Sequence, residues 1–143
     1  MAKIKAGRNK TIDTSIDEGK KYLDRCIAID KSVDNINSIL DKTIIGNSFD
    51  VMELLPEKSI DLIIADPPYN LTKSFHGTQF SRKKESEYED YTRQWLSKAI
   101  PLLKDDGSIY VCCDWETSLI IGRILQEYLI VRNRRTWQRE KRR

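Results

Sequence analysis

"SIDLIIADPPYN", residues 59–70, decides how this chain is read. Ile60 to Ala65 is a nearly continuous apolar run rich in Ile. That pattern suits a strand covered on both faces, as in a parallel sheet. Two prolines follow at once, with an aspartate before them and a tyrosine and an asparagine after. Pro67 restricts Asp66 to an extended conformation, and Pro68 does the same to Pro67. Neither proline carries an N–H, so the turn is rigid and poor in donors. A carboxylate and a backbone carbonyl, both acceptors, are thereby expected to converge on one small space. An exocyclic amino group, a two-proton donor, fits such a space. Tyr69 offers a flat face for stacking on a planar base, and Asn70 adds one donor and one acceptor function.

Outward from this stretch the elements alternate. "KTIIGNS" (42–48) reads as a short strand. "SFDVMELLPEK" (48–58) reads as a helix with Ser48 as N-cap and Pro56 past its end. Residues 70–87 are polar and mixed, a long loop of the kind that often carries function. In "YEDYTRQWLSKAIPLLK" Tyr88, Tyr91, Trp95, Ala99 and Leu102 recur at helical spacing, and Pro101 predicts a kink or an early end. "DDG" reads as a turn and "SIYVCC" as a second buried strand. Asp114 is the expected N-cap of a helix with Leu119, Ile120, Ile124 and Tyr128 inward, and "IVRNRRTWQ" is a last extended segment. This β-α-β-loop-α-β-α-β order argues for a parallel α/β sheet. Ligands in such sheets bind beyond the carboxyl ends of the strands. The loops leaving that edge carry Asn47, Asp66 to Asn70, and Asp114.

Residues 1–42 read as a helical N-terminal extension, loose up to residue 13. Ser15-x-x-Glu18 is a capping-box pattern ahead of Ile16, Leu23, Cys26 and Ile27. "SVDNINSILDK" is a second short helix. Residues 43–143 form the second unit.

Bulk properties narrow the class. The chain has 143 residues, 39 % apolar and 33 % charged, enough for one domain with a real core. No stretch approaches the ~20 apolar residues of a membrane span. The basic start has no apolar segment behind it, so no signal peptide is expected. Cys26, Cys112 and Cys113 show no CxxC spacing, which predicts a reducing cytoplasm, buried thiols, no disulfide and no metal site. Of the net charge of +3, residues 132–143 contribute +6 with seven Arg or Lys and one Glu, leaving −3 for the rest. Such a basic tail, with Arg134, Arg135 and Arg139, is a candidate for polyanion contact. Lys73, Arg82, Lys83 and Lys84 in the long loop are further candidates for phosphate contact. His76, the single histidine, reads as a solvated loop residue, and Trp137 as core.

The D-P-P-Y tetrad after an apolar strand resembles the catalytic motif of the amino-group DNA methyltransferases, which modify adenine N6 or cytosine N4. "GNSFDVMELLPEKSIDLIIADPPYN", "WLSKAIPLLKDDGSIYV" and "TWQRE" are similar to the members that place this motif near the N-terminus. The resemblance covers residues 43 to 141. It implies a partial Rossmann-like parallel sheet of the S-adenosylmethionine-dependent methyltransferase type. It implies transfer of a methyl group to a flipped base, with adenine first and cytosine N4 as the alternative. Asp66, Pro67, Pro68 and Tyr69 would be catalytic. Asn47, Asp66 and Asn70 would be the residues nearest the cofactor, and DNA would be the substrate, in a restriction-modification setting.

The family's Gly-rich turn of F-x-G-x-G type has no counterpart here. All six glycines, at 7, 19, 46, 77, 107 and 122, are isolated. The expectation is therefore the catalytic-motif half of a methyltransferase, truncated or split and inactive alone. A second chain would supply the cofactor half, and an open sheet edge favours self-association into a homo-oligomer. The remaining alternative is a DNA-binding or interaction module that uses the basic tail.

Overall fold

The computed structural model describes residues 14–75 and 78–136. In chain order it contains α1 (Ile16–Leu23), a 3-10 turn at Ile36–Ile39, α2 (Ser48–Leu54), β1 (Ile60–Ala65), the short strands β2 (Lys73–Phe75) and β3 (Thr78–Phe80), and α3 (Glu85–Ala99). A 3-10 turn at Ile100–Leu102, β4 (Leu103–Val111) and α4 (Trp115–Leu125) follow. The expectations for residues 1–13, His76, Trp137 and Arg139 lie outside the described residues.

The frame is the parallel pair β1–β4, with Ile63 opposite Ile109, Ile64 opposite Tyr110 and Ala65 opposite Val111. The ladder runs on past both strands, because the Cys112 amide donates to the Ala65 carbonyl at 2.8 Å. The "DDG" stretch is not a turn. β4 starts earlier, at Leu103, and absorbs the extra residues as a bulge, where the register jumps between Ile60 and Leu62. Gly107 sits in this bulge. A Cβ there would stand 3.0 Å from the Lys104 carbonyl oxygen and 3.1 Å from that of Ile60. The close approach of backbone to backbone is what requires a glycine.

One face of the sheet meets the helices. Trp95, Leu96 and Ala99 of α3 and Ile124 of α4 form the buried cluster. Phe49 and Met52 of α2, Ile63 and Ala65 of β1, and Ile109 and Val111 of β4 pack around it. The stripe expected on α3 is present, with Tyr88, Trp95, Ala99 and Leu102 buried. The helix stops at Ala99, two residues before Pro101, and continues only as a 3-10 turn, as the proline requires. On α4 the expected face is rotated. Leu119 and Tyr128 are exposed, whereas Thr117, Ile121 and Ile124 are buried. The segment is apolar almost all round, so its pattern did not fix which side turns inward.

The other face of the sheet is bare, contrary to a strand covered on both sides. Leu62, Ile64 and Tyr110 are 50 %, 70 % and 57 % exposed. The strand expected at 42–48 is a single bridge, Ile44 to Ile27, and does not join the sheet. "SVDNINSILDK" supplies one 3-10 turn rather than a helix. The capping box of α1 is present, with Ser15 accepting from the Glu18 amide and Glu18 accepting from the Ser15 amide. Ile16 and Leu23 are nevertheless exposed, while Cys26 and Ile27 are half-buried. Residues 130–136 have no assigned strand. The long loop is ordered in part by the antiparallel β2–β3 pair. Together these elements form an α/β fold, a partial Rossmann-like arrangement built on a parallel pair.

Candidate active site

Asp66 is the first residue past β1, at the carboxyl edge of the sheet. The register sets the ends of β1 and β4 side by side, so Asp66 and the Cys112–Asp114 segment leave the same edge. Asp66 is exposed, while Pro67 and Tyr69 are half-buried. The Tyr69 hydroxyl donates to Asp66 Oδ1 at 2.9 Å. Burial, with this hydrogen bond second, pushes the Tyr69 phenol up to about 12. The ring and the carboxylate expected to act together are thus brought together on one short turn.

The rest of the turn is braced from outside. Tyr88, in the first part of α3 and 3 % exposed, donates its hydroxyl to the Pro68 carbonyl at 3.1 Å. Burial, the dominant cause, holds its phenol up at about 12. Asn70 uses both ends of its amide on one backbone unit. Its Nδ2 donates to the Lys83 carbonyl at 3.0 Å, and its Oδ1 accepts from the Lys83 amide at 2.7 Å. The Leu71 amide closes a tight turn onto the Tyr69 carbonyl at 2.6 Å. The two ends of the long loop, at Asn70 and Lys83, are therefore tied together.

Asp114 caps α4, as expected. Its Oδ1 accepts from the Thr117 amide at 2.8 Å and from the Thr117 hydroxyl at 2.7 Å. Asn47 caps α2 in the place expected of Ser48, with Oδ1 accepting from the Phe49 amide at 3.0 Å. Of the three residues expected near the cofactor, Asn47 and Asn70 thus have amide groups engaged within the chain. Asp66 alone of the three stands at the sheet edge with an exposed carboxylate.

The cations flank this edge. Arg134 lies over the Trp115 ring, 4.3 Å from its centroid, and Arg135 is exposed. Arg82 pairs with Glu116 at the start of α4 (2.7 Å), and Lys83 Nζ stands 5.4 Å from the Tyr91 ring centroid. Cys112 is exposed rather than buried, and Cys113 is half-buried, with its thiol pushed up chiefly by burial. No group of three His, Cys, Asp or Glu among the described residues could hold a metal ion. No helix among them is long and apolar enough to cross a membrane.

Sequence reasoning treated Tyr88 as plain core and missed its role. The signal was there in part, since a tyrosine at an inward position brings a hydroxyl that needs a partner. The partner lies 20 residues away, where local periodicity gives no information.

These features define a class: an α/β chain with a D-P-P-Y turn at the carboxyl end of a parallel strand. A DNA methylase family profile matches residues 60–142, more than half of the chain, and the chain belongs to that family. It is similar to the type II methyltransferase M.HpaI of Haemophilus parainfluenzae, 35 % identical over 88 residues, which is 62 % of this chain and 28 % of that protein. It is 41 % identical over 83 residues to the type II methyltransferase M.MjaVI of Methanocaldococcus jannaschii, covering 58 % of this chain and 40 % of the relative. It is 32 % identical over 97 residues to the DNA adenine methyltransferase YhdJ of Escherichia coli K12, covering 67 % and 33 % respectively. The chain thus spans about a third of the length of these curated relatives.

Proposed function

We propose that the chain is the base-binding half of a DNA methyltransferase acting on an exocyclic amino group, adenine N6 first. The observation that carries this reading is the Asp66 carboxylate held against Tyr69 on a Pro-Pro turn at the sheet's carboxyl edge. Asp66 and the Pro67 carbonyl accept hydrogen bonds from the amino group of a flipped base, and Tyr69 stacks on its ring. The gain is positioning and electrostatics, with acceptors fixed before the base arrives. Adenine is favoured by the resemblance of the Asp form of the motif and by the relative named as an adenine methyltransferase. Arg134 and Arg135 contact DNA phosphates beside this edge.

The methyl donor of this reading is S-adenosylmethionine. The engaged amides of Asn47 and Asn70 support a second part of the proposal: these 143 residues do not bind the donor tightly unaided. Its site is completed by further sequence or by a second chain. Two measurements test the reading. DNA methylated in the presence of the chain and any completing partner should yield N6-methyladenine by mass spectrometry, and Asp66→Ala should abolish the product. Product that survives Asp66→Ala overturns the base-side reading, and N4-methylcytosine corrects the base. In titration calorimetry, micromolar binding of S-adenosylmethionine by the isolated chain overturns the second part.

A further inference from the structure

The turn that carries Asp66 offers several acceptors, and an amino group needs two that face it. Of the two proline carbonyls, that of Pro68 receives a side-chain donor among the described residues, the Tyr88 hydroxyl. The Asn70 acceptor is taken by the Lys83 amide. Among the described residues no donor is bonded to the Pro67 carbonyl, and the Asp66 carboxylate takes only the Tyr69 hydroxyl. Asp66 is held from inside the turn by Tyr69.

Tyr88 is well placed to impose this choice. It is buried at the foot of α3, whose later turns hold Trp95, Leu96 and Ala99 in the core. Its own carbonyl accepts the buried Thr92 hydroxyl at 2.7 Å. One hydroxyl therefore links the exit of β1, at the Pro68 carbonyl, to the rigid core. An aliphatic or phenylalanine side chain would fill the same space without making that link.

We infer that Tyr88 and Asn70 are positioning residues for the amino-group site. They anchor the Asp66–Asn70 turn at its middle, through the Pro68 carbonyl, and at its far end, through Asn70, and leave the Pro67 carbonyl and Asp66 to face the base. This inference rests on the proposed function for its catalytic consequence but not for its structural one.

The test compares wild type, Tyr88→Phe and Asn70→Ala as full chains, with the completing partner where one is required. Both variants are expected to keep α3 protected and to speed amide hydrogen exchange over residues 66–72 by more than about 5-fold. In methylation assays both are expected to lower kcat by about 10–100-fold with the KM for DNA nearly unchanged, since misplacement of a reacting group by ~1 Å costs rates of that order. A general loss of structure would instead raise exchange in α3 as well. Wild-type exchange over 66–72 in both variants overturns the inference, as does a wild-type kcat in both. Should wild type itself methylate no DNA, the functional reading fails and the exchange data alone decide whether the two residues hold the turn. Asn70→Ala, at a half-buried loop site, keeps the test open if Tyr88→Phe does not fold.

Discussion

The two faces of the β1–β4 sheet are made of the same kind of residue and meet opposite fates. Ile63, Ala65, Ile109 and Val111 pack on the helices, whereas Leu62, Ile64 and Tyr110 on the reverse side are half or more exposed. Alternate residues of a strand point to opposite faces, so the two sets interleave along one run of sequence. Apolar content therefore does not decide burial here. What decides it is which elements arrive. α2, α3 and α4 all contribute to one cluster, and that cluster lies against one side only. The candidate site's turn is tied to the covered side, because Tyr88, whose hydroxyl donates to the Pro68 carbonyl, belongs to α3.

The largest expected effect breaks the covered side. Leu96 is 0 % exposed at the centre of the cluster. Leu96→Ala should cost about 2–5 kcal/mol, the removed transfer energy plus the cavity left behind. Such a loss is a large fraction of the ~5–15 kcal/mol that holds a domain together. Urea unfolding followed by circular dichroism measures it through the midpoint. A loss under ~1 kcal/mol would mean that the cluster is not the core in solution.

The contrast also marks how far the sequence could be read. β1 and its exit were legible because an Ile-rich run cut by two prolines admits few conformations. The Asp114 cap and the Ser15–Glu18 box were legible because both are local patterns with a fixed spacing. Helix α3 was legible from its stripe. The bare face was not, since Leu62 and Ile64 look like core residues until the partner layer is counted. The strand expected at 42–48 failed for a related reason: its backbone bridges Ile27 rather than the sheet, and Ile45 stays 51 % exposed. "DDG" misled because a bulge and a turn use the same residues, and only the register jump and the close approach of Gly107 to the Ile60 carbonyl separate them. At the site, Asp66 with Tyr69 was readable, while the braces from Tyr88 and Lys83 depend on contacts 13 to 20 residues distant.

A smaller effect sharpens the comparison through pH. The Tyr88 and Tyr69 phenols sit at about 12 in the folded chain, against ~10 for a free tyrosine. Between those values the folded state keeps protons that the unfolded state has lost. Stability is therefore full below about pH 10 and falls as pH rises towards 12. Tyr88→Phe removes the buried phenol and should lessen this alkaline loss by on the order of 1–2 kcal/mol, each pKa unit being worth ~1.4 kcal/mol. Unfolding midpoints at pH 9, 10 and 11 measure the slope. Equal slopes in wild type and variant would show that burial of Tyr88 on the covered side does not set its titration.

The smallest effect belongs to the bare face. Ile64 is 70 % exposed and lies beside Tyr110 across the parallel pair. Ile64→Thr keeps the β-branch that suits a strand, so backbone preference changes little. The side chain has little burial left to lose, and the expected change is within ~0.5 kcal/mol, as for surface substitutions generally. If the face is bare in solution, the unfolding midpoint of Ile64→Thr matches wild type at every protein concentration. A cost above ~1.5 kcal/mol that grows with protein concentration would show that a second copy covers Ile64, since association stabilises the folded state by mass action. In that case the two faces differ only within a single chain, and the apolar character of Leu62, Ile64 and Tyr110 is explained by the layer that reaches them from outside it.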